Sequence, residues 1–325
     1  MKVFITGATG FIGNEVSRRF ALTDHEMTCL VRASSNVDEL KKLNANLAMG
    51  DVLDRDSLDH GMEGCDWVVN LANIYTFWEP DKSIYYRVNV EGTRNVMEAA
   101  LDAGVSKVVH VSTMAVFGKP DECPIVETSP PGPNRFGDYP ESKYQGDCIA
   151  WELYEKKHLP LVVIYPCVVT GPNDVKYSSG LIRSLINREM PATAFNSSVM
   201  TWVDVRDVAE VIVRATEKDN NVGEKYIAGK EQMKMEEFYG MISDISGVPI
   251  PKMRLPDTMA LFNARLLTWW ANMTKKPPLW NMALDGCRVA KEGVIADGSK
   301  AEKELGITYT PIRTTLKDAI RSLQR

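Results

Sequence analysis

Tyr139 and Lys143 stand four residues apart in the run Tyr139-Pro-Glu-Ser-Lys143, and on a helix that spacing puts both side chains on one face. An ammonium group beside a phenol lowers the phenol's pKa by favouring tyrosinate. The pair is therefore a candidate general acid/base for carbonyl chemistry. A second Tyr-x-x-x-Lys match, Tyr226 to Lys230, reads Tyr-Ile-Ala-Gly-Lys. It describes a strand running into a turn, which is a structural role.

The elements that must position Tyr139 begin at the N-terminus. Residues 2–6 form a short apolar strand, followed by Gly7-Ala-Thr9-Gly10-Phe11-Ile12-Gly13 and a helical pattern through Phe20. Glycines permit the tight turn and let backbone approach a pyrophosphate, and a helix N-terminus offers unpaired N–H groups and the positive end of a dipole. The order strand, glycines, helix predicts a dinucleotide cradle. Its spacing is GxxGxxG rather than GxGxxG.

Apolar strands alternate with helical patterns along the first 228 residues, which predicts a parallel, doubly wound sheet of the Rossmann type, an α/β fold. Strands are expected near 2–6, 27–32, 46–49, 66–70, 107–112, 161–166 and 225–228, and long helices near 81–104 and 138–158. Residues 1–166 and 204–228 would form the nucleotide domain, and 167–203 with 229–325 a smaller substrate lobe. The chain has 325 residues, 44% of them hydrophobic, enough to bury a large core. A net charge of −5 and a pI near 5.6 argue against a nucleic-acid partner. Six scattered cysteines without Cys-x-x-Cys spacing read as free thiols of a reducing cytoplasm. No metal-ligating pattern stands out, and no apolar run is long enough to span a bilayer.

The landmarks Gly7/Gly10/Gly13, Gly50-Asp51-Val52-Leu-Asp54, Asn70-Leu71-Ala72-Asn73, Asn89-Val-Glu-Gly92-Thr93, Ser112-Thr113-Met-Ala-Val-Phe-Gly118, Tyr139/Lys143 and Gly171-Pro172 occur in that order. In this the chain resembles the extended short-chain dehydrogenase/reductases, over nearly its whole length. Within them it is most similar to the branch of dihydroflavonol reductases and 3β-hydroxysteroid dehydrogenases. The resemblance implies that Tyr139 moves the proton, that Lys143 holds the cofactor ribose and favours tyrosinate, and that the Thr113 hydroxyl donates to a substrate carbonyl as charge develops. Strand alternation sends the neighbouring Ser112 the other way. Asn89 is expected either to complete a water relay or to satisfy helix backbone. Asp51 resembles the aspartate that accepts from the adenine amine, and Val52, Leu71, Ala72, Pro166 and Val168 fall where the cofactor would be lined.

Cofactor choice turns on Leu30-Val31-Arg32-Ala-Ser-Ser35. NAD enzymes usually carry a carboxylate at this point to grip the ribose 2′-hydroxyl. An arginine suits a 2′-phosphate, so NADP(H) is favoured over the alternative, NAD(H). For the substrate, relatives that act on nucleotide sugars place an arginine six or seven residues before the Val-x-Asp aspartate, where this chain reads Ser198-Val-Met200-Thr-Trp202 before Asp207. They also read Arg-x-Phe-Asn-Val-Tyr-Gly-Pro where this chain has Tyr165-Pro166-Cys-Val168-Val-Thr-Gly171-Pro172. A buried diphosphate without such anchors is costly. Asn73, Tyr75, Phe77, Trp78, Phe117, Met200 and Trp202 are expected to line an apolar pocket instead. The leading reading is an NADP(H)-dependent ketone or aldehyde reductase, reversible as an alcohol dehydrogenase. A nucleotide-sugar epimerase or dehydratase with tightly bound NAD(P) is the alternative, and a catalytically silent nucleotide sensor the third. The apolar segment 259–270 is expected as a buried helix or lid over the substrate pocket, with a peripheral membrane or partner contact as the other reading. The helices near 81–104 and 138–158 are expected to pair across a homodimer.

Overall fold

The computed structural model describes residues 1–174 and 177–324, apart from the side chains of 177 and 178. Ten strands can be numbered in chain order: β1 (Lys2–Thr6), β2 (Glu26–Val31), β3 (Asn46–Met49), β4 (Trp67–Asn70), β5 (Lys107–Val111), β6 (Leu161–Pro166), β7 (Val168–Thr170), β8 (Val199–Asp204), β9 (Lys225–Ala228) and β10 (Glu231–Lys234). Seven of them form one parallel sheet in the order β3-β2-β1-β4-β5-β6-β9. Every residue of β4, β5 and β6 is buried, as expected of strands covered on both faces. The strand order reverses between β1 and β4, and in such sheets the crevice at that switch point takes the ligand.

The helices Phe11–Phe20 and Val205–Glu217 pack against each other, and Arg55–Met62, Thr93–Asp102 and Asp138–Lys157 form a second group. Capping follows local sequence: Asp54 accepts from Ser57 N at 3.4 Å, and Asp204 from Arg206 N at 2.7 Å, satisfying N–H groups that have no partner within the helix. The long helix anticipated near 81–104 is interrupted. Its α-helical ends, Ser83–Tyr86 and Thr93–Asp102, flank a π-helical stretch, Arg87–Gly92. The helix Asp138–Lys157 crosses that stretch so closely that a Cβ at Gly146 would sit 2.5 Å from the Asn89 carbonyl oxygen.

A smaller sheet, β10-β8-β7, pairs β7 with β8 in parallel and β8 with β10 antiparallel. Around it lies a second core that includes Met200, Trp202, Phe238, Ile242, Ile312 and Leu316. The apolar segment departs from expectation. It forms the helix Asp257–Thr274, but it buries only Ala260, Ala264 and Ala271. Three alanines centre its packing face, with Leu261 half-buried against the second core, and Met259, Phe262, Leu266, Trp269, Trp270 and Met273 face outward. It is therefore not a buried helix. Among the described residues no helix is long and apolar enough to cross a membrane.

Candidate active site

A cleft of about 510 Å³ runs from the glycine turn, across the C-terminal ends of β1, β2, β4, β5 and β6, to the second sheet. At the nucleotide end the backbone is crowded on purpose. Gly7 has φ +71, and a Cβ there would lie 2.7 Å from the Leu71 carbonyl carbon, so only glycine fits both the turn and the approach of the next strand. A Cβ on Gly13 would lie 2.1 Å from the Gly7 carbonyl oxygen. The helix that starts at Phe11 has neither a side-chain cap nor an acid in its first turn. Its N–H groups and dipole are thus left for an anion, and the residues present fit a dinucleotide's pyrophosphate.

Thr9, Gly10, Phe11, Ile12, Arg32, Asp51, Val52, Leu71, Ala72, Pro166 and Val168 all border the cleft. Arg32 follows β2 and is exposed. Its backbone N–H donates to Ser35 Oγ at 3.1 Å, and its guanidinium has no ion-pair partner among the described residues. Asp51 borders the cleft while its Oδ1 accepts from Leu53 N at 3.0 Å. It holds its own loop and borders the cleft at once.

Tyr139 lies in the first turn of the helix Asp138–Lys157 and opens onto the cleft. Its ring packs edge-on against Tyr75 at 5.1 Å and Phe77 at 5.9 Å. Burial pushes the phenol's pKa well up, and the Thr113 hydroxyl, hydrogen-bonded to it, pulls the other way. Lys143 is buried on the same helix, but its Nζ donates to the Val111 carbonyl at 3.0 Å. The anticipated lowering of the phenol by this lysine is therefore absent here; desolvation governs it. Desolvation also lowers Lys143 itself to about 8, against the opposing pull of Asp147.

Ser112 and Thr113 point apart as strand alternation requires. Both residues border the cleft, but Ser112 Oγ donates to the buried Asp147 Oδ2 at 2.7 Å, while Thr113 Oγ1 accepts from Ala115 N at 3.3 Å. Asn89 does not border the cleft. Its Oδ1 accepts from Ile74 N at 2.8 Å, and its Nδ2 donates to Ile74 O at 3.2 Å and to Ser142 Oγ at 3.0 Å. Both polar atoms of the amide are thus occupied by protein groups, which is the backbone-satisfying role. Asn89 ties the Ile74 segment to the helix Asp138–Lys157.

At the far end Asn73, Tyr75, Phe77, Met200 and Trp202 border the cleft. Trp202 stacks on Phe238 at 3.8 Å. Two expected lining residues lie elsewhere. Trp78 Nε1 donates to Asn272 Oδ1 at 2.9 Å, since the chain direction that aims Tyr75 and Phe77 inward turns its neighbour out. Phe117 is buried against Tyr165, 5.2 Å between rings. Tyr226 and Lys230 are bound to Glu304 and Glu302, outside the cleft.

Beneath the cleft runs a buried polar chain. Thr6 Oγ1 lies 2.6 Å from Asn70 Oδ1, Asn70 Nδ2 3.1 Å from His110 Nδ1, and His110 Nε2 3.2 Å from Asp147 Oδ1. Sequence reasoning missed His110 and Asp147. The available signal was spacing: Asp147 follows Lys143 by four, on the same helix face.

The NAD dependent epimerase/dehydratase family model matches residues 3–229. A Synechocystis sp. protein named for dihydroflavonol 4-reductase is 31% identical over 99% of this chain and 94% of its own length. Sterol demethylase protein B of Methylococcus capsulatus is 27% identical over 98% of this chain and 97% of its own. The crystal structure of gox2253 superposes with a TM-score of 0.85 at 32% identity, covering 99% of this chain and 97% of that one. A glycine cradle at the β1/β4 switch point, with a Thr, Tyr and Lys set beside it, agrees with these likenesses: the chain belongs to the NAD dependent epimerase/dehydratase family, and is an NAD(P)-dependent enzyme of the extended short-chain dehydrogenase/reductase type.

Proposed function

We propose that this enzyme interconverts a ketone or aldehyde and the corresponding alcohol on a largely hydrophobic small molecule, using NADP(H). The observation that carries the reading is the apolar end of the cleft. Tyr139 is flanked there by Tyr75 and Phe77, and Met200 and Trp202 stand near the place where an arginine would grip a diphosphate. The names of the relatives, one for a dihydroflavonol reductase and one for a sterol demethylase protein, agree with an apolar substrate. Arg32 supports the 2′-phosphate, and the residues 167–203 and 229–325 would supply the substrate side.

The nicotinamide cofactor, when bound, supplies or accepts the hydride. Thr113 and Tyr139, hydrogen-bonded to each other, converge on the carbonyl oxygen of a substrate. Thr113 donates a hydrogen bond to it, and Tyr139 delivers the proton as negative charge develops. A phenol whose pKa is raised by burial stays protonated at neutral pH but gives up its proton reluctantly and supplies little tyrosinate; a charged Lys143 drawn from Val111 to a ribose would lower it and so favour proton transfer in both directions. The aromatic wall excludes water from the reacting atoms. The six cysteines are unpaired, which supports a reducing cytoplasm, and a homodimer through the helices Thr93–Asp102 and Asp138–Lys157 is the assembly we expect.

The test is NADPH consumption against a panel of bulky hydrophobic ketones and aldehydes, with UDP-sugars in parallel. Turnover of the first group with no better than about millimolar UDP-sugar affinity is the expected result. C4 epimer formation without net NADPH consumption would promote the epimerase reading, which the family's name keeps as the alternative.

A further inference from the structure

We propose that the helix Asp257–Thr274 is a membrane-docking element that lays its outer face on an anionic lipid surface. Met259, Phe262, Leu266, Trp269, Trp270 and Met273 are each at least half exposed. At 100° per residue they fall within one stripe, opposite the alanines that pack inward. Leu279 and Trp280, exposed to 60% and 61%, prolong the apolar surface just past the helix end. Scattered exposed apolar residues need no explanation, but two adjacent tryptophans in a continuous stripe of this size mark an interaction surface.

Charge selects the occupant. The helix opens on a carboxylate, Asp257, and the next one is Asp285; between them the chain carries three cations, Arg265, Lys275 and Lys276, although the whole protein has a net charge of −5. Arg265 borders the stripe, and Lys275 and Lys276 follow the last turn. Neither Arg265 nor Lys276 has an ion-pair partner among the described residues. An anionic headgroup layer meets them with opposite charge, while the tryptophans settle at the level of the headgroups. The helix is about 27 Å long at 1.5 Å per residue, suited to lying in the interface rather than crossing it.

The docked face would stand one element from the cleft. Thr268 Oγ1 accepts from Leu284 N at 2.9 Å, and the helix Leu284–Glu292 sends Val289 and Ala290 into the cleft wall. Trp78, bound to Asn272, joins the helix Asp257–Thr274 to the Tyr75 segment. An apolar substrate dissolved in the bilayer would then reach Tyr139 without crossing water.

The experiment is co-sedimentation of the full-length protein with vesicles of equal parts phosphatidylglycerol and phosphatidylcholine, and with pure phosphatidylcholine. The proposal expects binding to the anionic vesicles that weakens with salt. It expects about a tenfold or greater loss of partition in Phe262→Gln/Trp269→Gln and a smaller loss in Lys275→Gln/Lys276→Gln, with melting temperatures unchanged because these side chains are exposed. Tyr139→Phe should bind as the unmodified protein does, which separates docking from the catalytic reading. Protein that stays in the supernatant overturns the proposal, as does binding indifferent to Phe262→Gln/Trp269→Gln. A dimer in light scattering that this double variant splits, without any vesicle binding, would assign the face to a second copy instead.

Discussion

Exchanging Lys143 for methionine removes a buried ammonium while keeping a side chain of similar length, and the outcome can be worked out from its surroundings. In the folded protein desolvation lowers this lysine from its ordinary 10.5 to about 8. A depression of that size is worth about 3 kcal/mol against the charged form. Below about pH 8 both folded and unfolded chains carry the proton, and the whole penalty stands. Between about pH 8 and 10.5 the unfolded chain still holds a proton that the folded one has released, so stability rises with pH; above that the gain is complete. Lys143→Met has no such dependence. Near neutral pH the variant sheds the penalty but loses the charge-assisted bond to Val111 O, worth about 1.5–3 kcal/mol, so the two proteins should be similarly stable there. Urea unfolding of both at several pH values reads the difference directly, because groups unrelated to Lys143 cancel. The stability of the unmodified protein relative to the variant should climb by about 3 kcal/mol on going alkaline, while the variant is catalytically impaired throughout. Parallel curves would refute the assignment of a strained, buried ammonium at this site.

Tyr139→Phe should lower kcat about a hundredfold or more with cofactor affinity nearly unchanged, as measured by steady-state kinetics and fluorescence titration; near-normal turnover would remove Tyr139 as the acid. Arg32→Asp should reverse a preference for NADPH over NADH that rests on a contact of about 1.5–3 kcal/mol, and equal affinities in the unmodified protein would discredit the 2′-phosphate reading. Met200→Ala should raise KM for a hydrophobic carbonyl compound more than it lowers kcat, because uniform binding is lost. Trp202→Ala, at a buried stacked ring, should cost about 3–5 kcal/mol of stability in denaturant unfolding. Sedimentation at micromolar concentration should find a dimer, and a fully active monomer would contradict it.

The strands were the most legible part of the chain. Residues 2–6, 161–166 and 225–228 were expected where Lys2–Thr6, Leu161–Pro166 and Lys225–Ala228 are found, because an uninterrupted apolar run bounded by turns has few other solutions. The glycine turn was equally plain, its spacing being set by backbone contacts that tolerate no Cβ. Periodicity does not reveal the π-helical stretch Arg87–Gly92, since one wider turn barely shifts the pattern, and the helix packed across it at Gly146 is distant in sequence. In the segment 259–270 composition suggests burial while spacing decides against it: Ala260, Ala264 and Ala271 mark the packing face, and most of the large residues fall on the other. Trp78 shows the limit of neighbour arguments, since a loop has no fixed alternation to decide which aromatic turns inward. His110 read as one more strand residue, and only tertiary pairing with Asn70 and Asp147 gives it a role.

That pairing has a polarity. Ala72 N donates to Thr6 Oγ1, so the threonine proton must go to Asn70 Oδ1, which turns the amide NH₂ toward His110 Nδ1. The imidazole is thereby a neutral acceptor at Nδ1 and a donor at Nε2, aimed at Asp147, and desolvation, aided by Lys143, lowers its pKa in agreement. Every proton in the row from the nucleotide turn to the catalytic helix leans the same way, toward one carboxylate. A one-way row of this kind admits a single tautomer: protonating His110 would set two donors face to face, and Asn70→Asp, nearly identical in shape, would leave the histidine with no proton to accept.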